Sequence, residues 1–164
     1  MVKWSSEVKT YNMCRECRDK SSAVSALDSN ELELLNRNCT LRNFKRGETL
    51  LEEGKPVHEV VYLREGYATQ SKKMPDGVEQ VLSLVKKGNY IGLHNIIRHS
   101  RGNYVSAKAL NDVSACFINR ECFDELLHRN GEFASRVIEV VCKNEIFFID
   151  RMMKIGRASC RERV

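Results

Sequence analysis

Apolar residues recur with more than one period along this chain, and the changes of period divide it. Leu32, Leu34 and Leu35 give a short segment one apolar face, and its start is marked. Asp28 can cap it, Glu31 sits at the capping-box position, and Leu27 can staple against Leu32. From Leu41 to Ile118 the pattern changes to short β-rich runs broken by glycines at 47, 54, 66, 77, 88 and 92. It predicts strands over Val57–Arg64, Tyr67–Lys72, Glu79–Val85, Tyr104–Ala109 and Val113–Ile118, with Pro75-Asp76-Gly77 turning between two of them. Turns about every 8–12 residues point to a sandwich, barrel or jelly roll rather than βαβ units. Helical spacing then returns: Asn119 can cap a helix over Arg120–Arg129, and Gly131 separates it from a longer helix over Glu132–Lys154.

The longer helix is unusual. Glu132, Arg136, Glu139, Lys143, Asp150 and Lys154 share one narrow stripe, and apolar positions cover about 260° of the circumference at 100° per residue. Such a helix must be buried on two sides. The β-structure can cover one side. The other is met either within a single compact domain or by a helix of a second subunit, and the second-subunit reading is preferred. Ala134, Ile138, Val141, Glu145, Phe148 and Met152 follow a 4-3-4-3-4 spacing. This is an a/d-type seam interrupted by one charge. Ile138, Val141, Glu145, Phe148 and Met152 are therefore expected at a homodimer interface.

Composition narrows the class. At 164 residues with 42% hydrophobic content, the chain is long enough for one domain with a real core. No apolar run reaches the roughly 18 residues of a membrane span, and Met1-Val2-Lys3-Trp4-Ser5 does not resemble a signal segment. No membrane partner is expected, and the expected location is the cytoplasm. The last ten residues, Ile155 to Val164, carry no periodicity and read as a translated sequencing adapter, to be left out of fold reasoning. Removing their three Arg and one Glu from the formal +5 leaves +3, too mild to argue a nucleic-acid surface. The expected organisation is a leader over 1–26, a β-domain over 27–130, a dimerisation helix over 131–154 and the artefactual tail over 155–164.

Ordered motifs carry a family resemblance. Phe44-Lys-Arg-Gly47-Glu48-Thr-Leu50-Leu-Glu-Glu-Gly54-Lys-Pro56 and Val61-Tyr62-Leu63-Arg-Glu-Gly66 resemble the cyclic-nucleotide-binding β-roll. Gly88-Asn-Tyr-Ile91-Gly92 and Ser106-Ala-Lys-Ala109 continue the match in order. With the long helix, the chain resembles the sensor half of Crp/Fnr-family transcription regulators. The resemblance implies a mainly β fold, a jelly roll with flanking helices followed by a dimerisation helix. It also implies DNA binding only through a helix-turn-helix absent from this chain. The alternatives are a stand-alone ligand-binding or redox-sensing module and, last, a jelly-roll metalloenzyme.

The resemblance places an effector pocket at Gly88, Ile91, Gly92, Leu93, His94, Asn103 and Tyr104. Cyclic-AMP-binding members resemble one another in a Gly-Glu-Leu turn and a later Arg-Ser pair. Here Gly92-Leu93-His94 and Asn103-Tyr104 stand at those places. A buried phosphate without its guanidinium is costly, so cyclic AMP is not expected unless Arg98 or Arg101 substitutes. Cys14-Arg-Glu-Cys17 is a CxxC, and Cys116 aligns with the distant cysteine that Fnr-type oxygen sensors use to hold [4Fe–4S]. Where the third N-terminal cysteine would stand, the chain has Ser21-Ser22-Ala23. A metal site at Cys14, Cys17 and Cys116, with Cys39 as a fourth ligand of untested geometry, a redox thiol pair, and ordinary core cysteines all stay open. Single histidines at 58, 94, 99 and 128 match no cupin centre, and no GxSxG, P-loop or HExxH occurs. No enzyme is expected.

Overall fold

The structure, a computed structural model, describes residues 13–97 and 102–161, with side chains at 14–96, 102–147, 149, 150 and 153. Two four-stranded antiparallel sheets face each other. One orders β1 (Cys39–Phe44), β8 (Val113–Asn119), β3 (Glu59–Glu65) and β6 (Tyr90–Ile91). The other orders β2 (Thr49–Leu51), β7 (Ser106–Ala109), β4 (Tyr67–Lys73) and β5 (Glu79–Lys86). This is the expected mainly β architecture with flanking helices. The sequence pattern misses β1, β2 and β6, and β7 starts two residues later than expected because Tyr104 is spent in a loop contact.

Strand β3 explains how the layers divide. Successive side chains of a strand point to opposite faces, and both faces of β3 are covered. Val61 and Leu63 face the second sheet, packing with Leu50, Ala68, Val85, Ala107, Val113, Ala115 and Phe117. Val60 and Tyr62 face the helices, packing with Leu35, Tyr90, Ile118, Phe123, Leu126 and Phe133. Gly66 turns β3 into β4 at φ +83°, where a Cβ would meet the Asp112 carbonyl oxygen at 2.3 Å. Only glycine fits such a turn without strain.

The helical layer starts in the leader. A short helix α1 (Met13–Glu16) and a 3-10 turn (Val24–Ala26) precede α2 (Ser29–Arg37). The capping box of α2 is present: the Asp28 carboxylate accepts from the Asn30 and Glu31 N–H groups, and Glu31 accepts from the Asp28 N–H. After α3 (His94–Ile97) and the roll, Asn119 caps α4 (Arg120–Arg129) by accepting from the Cys122 N–H. Asn130 in turn accepts from the Phe133 N–H at the start of α5 (Gly131–Arg161). Helix α5 runs seven residues past the expected end at Lys154. Ile155–Arg161 contains one glycine and no proline, and extending a formed helix is far easier than starting one.

Phe133 and Val137 are buried against the roll, with the ring of Phe133 edge-on to Phe123 at 5.4 Å. About 100° around the helix from that row, Ile138 and Val141 are exposed at 60% and 42%. Glu145 is also exposed. The side chains of Phe148 and Met152 lie outside the described residues. Ile146, Phe147, Ile149 and Met153 extend the exposed apolar surface.

Candidate functional site

The candidate effector residues do not form one kind of surface. Ile91 is fully buried in β6, and Leu93 packs partly on the helical core. Gly88 and Gly92 take φ near +90° at corners. The buried side chains of Asn95 and Asn103 are committed to the protein itself. Asn95 Nδ2 donates to Asn103 Oδ1 at 3.2 Å, and Asn95 Oδ1 accepts from the Tyr104 N–H. Asn103 Nδ2 donates to the Glu52 carbonyl at 3.0 Å. Gly102 lies against Gly54, where a Cβ would sit 2.5 Å from the Gly54 carbonyl oxygen. Tyr104 lies under the Lys72 ammonium, which also pairs with Glu53, and the His94 ring meets Tyr104 edge-on. Arg98 and Arg101 lie outside the described residues.

The thiols behave differently: four of them come together. Register does much of this. Leu41 pairs with Cys116 and Cys39 with Ile118 across β1 and β8, so Cys39 and Cys116 are diagonal neighbours on the helix-facing side. Tyr62 pairs with Cys116 across β3 and β8 and joins that face. Cys14 and Cys17 come in from the leader. One pocket is lined by Cys14, Cys17, Cys39 and Cys116, together with Ser21, Val24, Tyr62 and Arg64.

Cys39 lines the same pocket as Cys14 and Cys116, near enough for each to act on its thiol. Those neighbours, with burial, push Cys39 far above the ordinary thiol range. Cys39 in turn, helped by the Arg64 charge, lowers Cys14 and Cys116 against the opposing effect of burial. Burial pushes the Tyr62 hydroxyl up to about 12. Arg64 reaches Asp19 at 3.6 Å, while its buried Nε has no hydrogen-bond partner.

The leader is fastened on both sides. Toward the pocket, the Tyr62 hydroxyl donates to the Asp19 carbonyl, and Ser21 Oγ shares a 2.6 Å hydrogen bond with the Tyr90 hydroxyl. Toward the long helix, Arg136 of α5 donates to the Ser22 carbonyl at 3.0 Å, and Asn130 donates to the Ala26 carbonyl at 3.2 Å. The leader thus joins the pocket to the base of α5.

The donor set suits a soft metal or an iron–sulfur cluster: four sulfurs on one pocket, beside a cation with an unpartnered buried donor. Among the described residues, no three His, Cys, Asp or Glu side chains already stand in metal-ligating geometry. Of the segments that supply these sulfurs, the leader is the one not held in a sheet. Sequence reasoning brings Cys14, Cys17 and Cys116 to this site and leaves Cys39 untested. It misses Arg64 and Tyr62, whose signal was the strand alternation of β3.

Residues 41–130 match the family described as cyclic nucleotide-binding domain. The chain is 27% identical over 154 residues to the nitrogen fixation regulation protein FixK of Bradyrhizobium diazoefficiens. That alignment takes in 93% of this chain and 63% of FixK. It is 26% identical over 161 residues to the transcriptional activator protein FnrL of Cereibacter sphaeroides, across 96% of this chain and 63% of FnrL. The chain thus spans less than two thirds of these relatives. The sensor domain of the transcriptional regulator DNR from Pseudomonas aeruginosa shares the fold, with a TM-score of 0.63 at 18% identity. That match covers 79% of this chain and 85% of the DNR domain.

Proposed function

The chain belongs to the cyclic nucleotide-binding domain family, and from that premise we propose that it is the sensor and dimerisation region of a cytoplasmic Crp/Fnr-type transcription regulator. The thiol pocket takes the signal and α5 carries it to a second copy. The carrying observation is the leader, which lines the thiol pocket on one side and bonds to α5 and its cap on the other. Ligation by Cys14, Cys17 and Cys116 would hold an iron–sulfur cluster, which when bound supplies one-electron redox chemistry. The protein's own part is to hold the thiols, to set Arg64 beside them and to transmit movement of the leader. In this reading cyclic AMP is not the effector: Asn103, at the aligned place of the phosphate-binding pair, is bonded to Asn95 and to the Glu52 carbonyl, which supports that reading.

Helices pair through the exposed row of Ile138 and Val141. DNA recognition belongs to the part of the relatives that this chain does not span. Two recognition elements must match half-sites about one DNA turn apart, so a shift of the helix pair is a sufficient output. The test is a chimera in which this chain replaces the matched segment of FnrL, read by a promoter reporter. Output that changes with oxygen, and loses that change in Cys14→Ser and Cys116→Ser, supports the reading. Output indifferent to oxygen overturns it.

A further inference from the structure

We infer that Cys39 is the fourth thiolate of a soft metal centre formed with Cys14, Cys17 and Cys116. The inference deepens the proposed sensor reading and rests on it. It starts from the pocket walls. Three separate chain segments each supply sulfur to one cavity: the leader turn, β1 and β8. Cys39 lines the same pocket as the leader thiol of Cys14 and is the diagonal strand neighbour of the sheet thiol of Cys116. The strand pairing of β1 with β8 fixes it there independently of the leader. The remaining cysteines with described side chains do not line this pocket: Cys122 is buried on α4, and Cys142 is exposed on α5.

A fourth sulfur on the pocket matters chemically. Four-thiolate ligation holds both structural Zn(II)-type ions and iron–sulfur clusters. Three sulfurs would leave one coordination position unfilled. Among the pocket-lining residues Asp and Glu are absent, so no carboxylate there competes for the fourth place. Four thiolates bring more negative charge than the metal group removes. Arg64, on the same wall with a buried Nε lacking a partner, is placed to offset that excess. The lining thus contains both a ligand set and its counter-charge.

A centre ligated by Cys39 would also tie the leader to the rigid sheet. Cys39 and Cys116 stay with the strands, while Cys14 and Cys17 must turn toward the metal. Leader movement is then the expected consequence of filling the pocket.

The purified chain is incubated anaerobically in two arms, one with ferrous iron and sulfide and one with Co(II) alone. Bound metal and sulfide are counted and visible spectra recorded, for wild type, Cys39→Ser, Cys39→Ala, Cys142→Ser and Val24→Ala. Val24→Ala opens the same wall without removing a sulfur. Thermal melts of the metal-free variants check that each is folded. The expected result is that wild type, Cys142→Ser and Val24→Ala load equally. Both Cys39 variants should retain less than a quarter of the metal and lose the thiolate charge-transfer band. Folded Cys39 variants that load as fully as wild type overturn the inference while leaving the sensor reading intact. Wild type that takes Co(II) through Cys39 but retains no iron and sulfide overturns the cluster reading and supports the ligand assignment. Wild type that retains neither overturns both.

Discussion

Replacing Ile138 with serine should weaken self-association while leaving the roll folded. Ile138 lies on α5 with 60% of its surface exposed in the single chain, while Phe133 and Val137 face the core. Fully burying an isoleucine side chain is worth about 1.5–3 kcal/mol. With most of its area still open, about 1–2 kcal/mol per copy remains to be gained at a second surface. A two-fold pair uses the position twice, so Ile138→Ser should raise the dimer dissociation constant roughly thirty- to a thousand-fold. Sedimentation velocity over a wide concentration range reads this directly, and a thermal melt in the monomeric range reports on the roll. Glu145→Leu supplies the opposite sign. It removes a charge from the middle of the same seam, where its copy would face it, and should tighten the dimer. An unchanged monomer–dimer equilibrium in both variants would refute the seam. So would a melting temperature for Ile138→Ser as low as that of the core variant Phe133→Ala, because the exposed row would then be packed on its own roll.

Three further outcomes follow from particular contacts. Asp28→Ala removes the carboxylate that accepts from two helix N–H groups, so chemical denaturation should show a loss of about 1 kcal/mol. Gly66→Ala must hold φ +83° and push a Cβ against the Asp112 carbonyl. It should cost at least about 1–3 kcal/mol, and a melt unchanged from wild type would show that the β3–β4 corner relaxes freely. Burial pushes the Cys122 thiol from 9.0 up to about 11. A folded pKa above the unfolded one gives stability that is present below pH 9 and is lost as pH rises toward 11. Cys122→Ala should therefore flatten the alkaline decline in unfolding free energy measured across that window.

What was legible in the sequence was local or repetitive. The capping box at Asp28 and Glu31 depends on residues three apart, and the long strands carry enough apolar residues to announce themselves. Strand β1 does not: Cys39-Thr-Leu-Arg-Asn-Phe44 mixes polar and apolar positions, and its pairing with β8 is what makes it a strand. Strand β6 has two residues, too few for any period. The site divides the same way. The CxxC spacing marks Cys14 and Cys17 and the family resemblance marks Cys116, whereas the place of Cys39 emerges only from the β1–β8 register. Arg64 reads along the chain as the end of a strand, and only the fold sets its guanidinium beside the thiols. The reach of α5 past Lys154 was missed because the tail lacks an apolar period, which helix propagation does not require.

In the proposed mechanism the thiol pocket and the α5 seam are coupled through the leader. The most direct test is the dimer dissociation constant of the wild-type chain, measured anaerobically by sedimentation with the pocket unloaded and after loading with iron and sulfide. Cys142→Ser serves as the control for disulfide-linked pairs. Coupling through Ser22, Ala26, Asn130 and Arg136 predicts a shift of at least about tenfold between the two states, within the usual range of coupling between sites. Arg136→Ala should shrink that shift. Equal dissociation constants for loaded and unloaded protein would contradict the account.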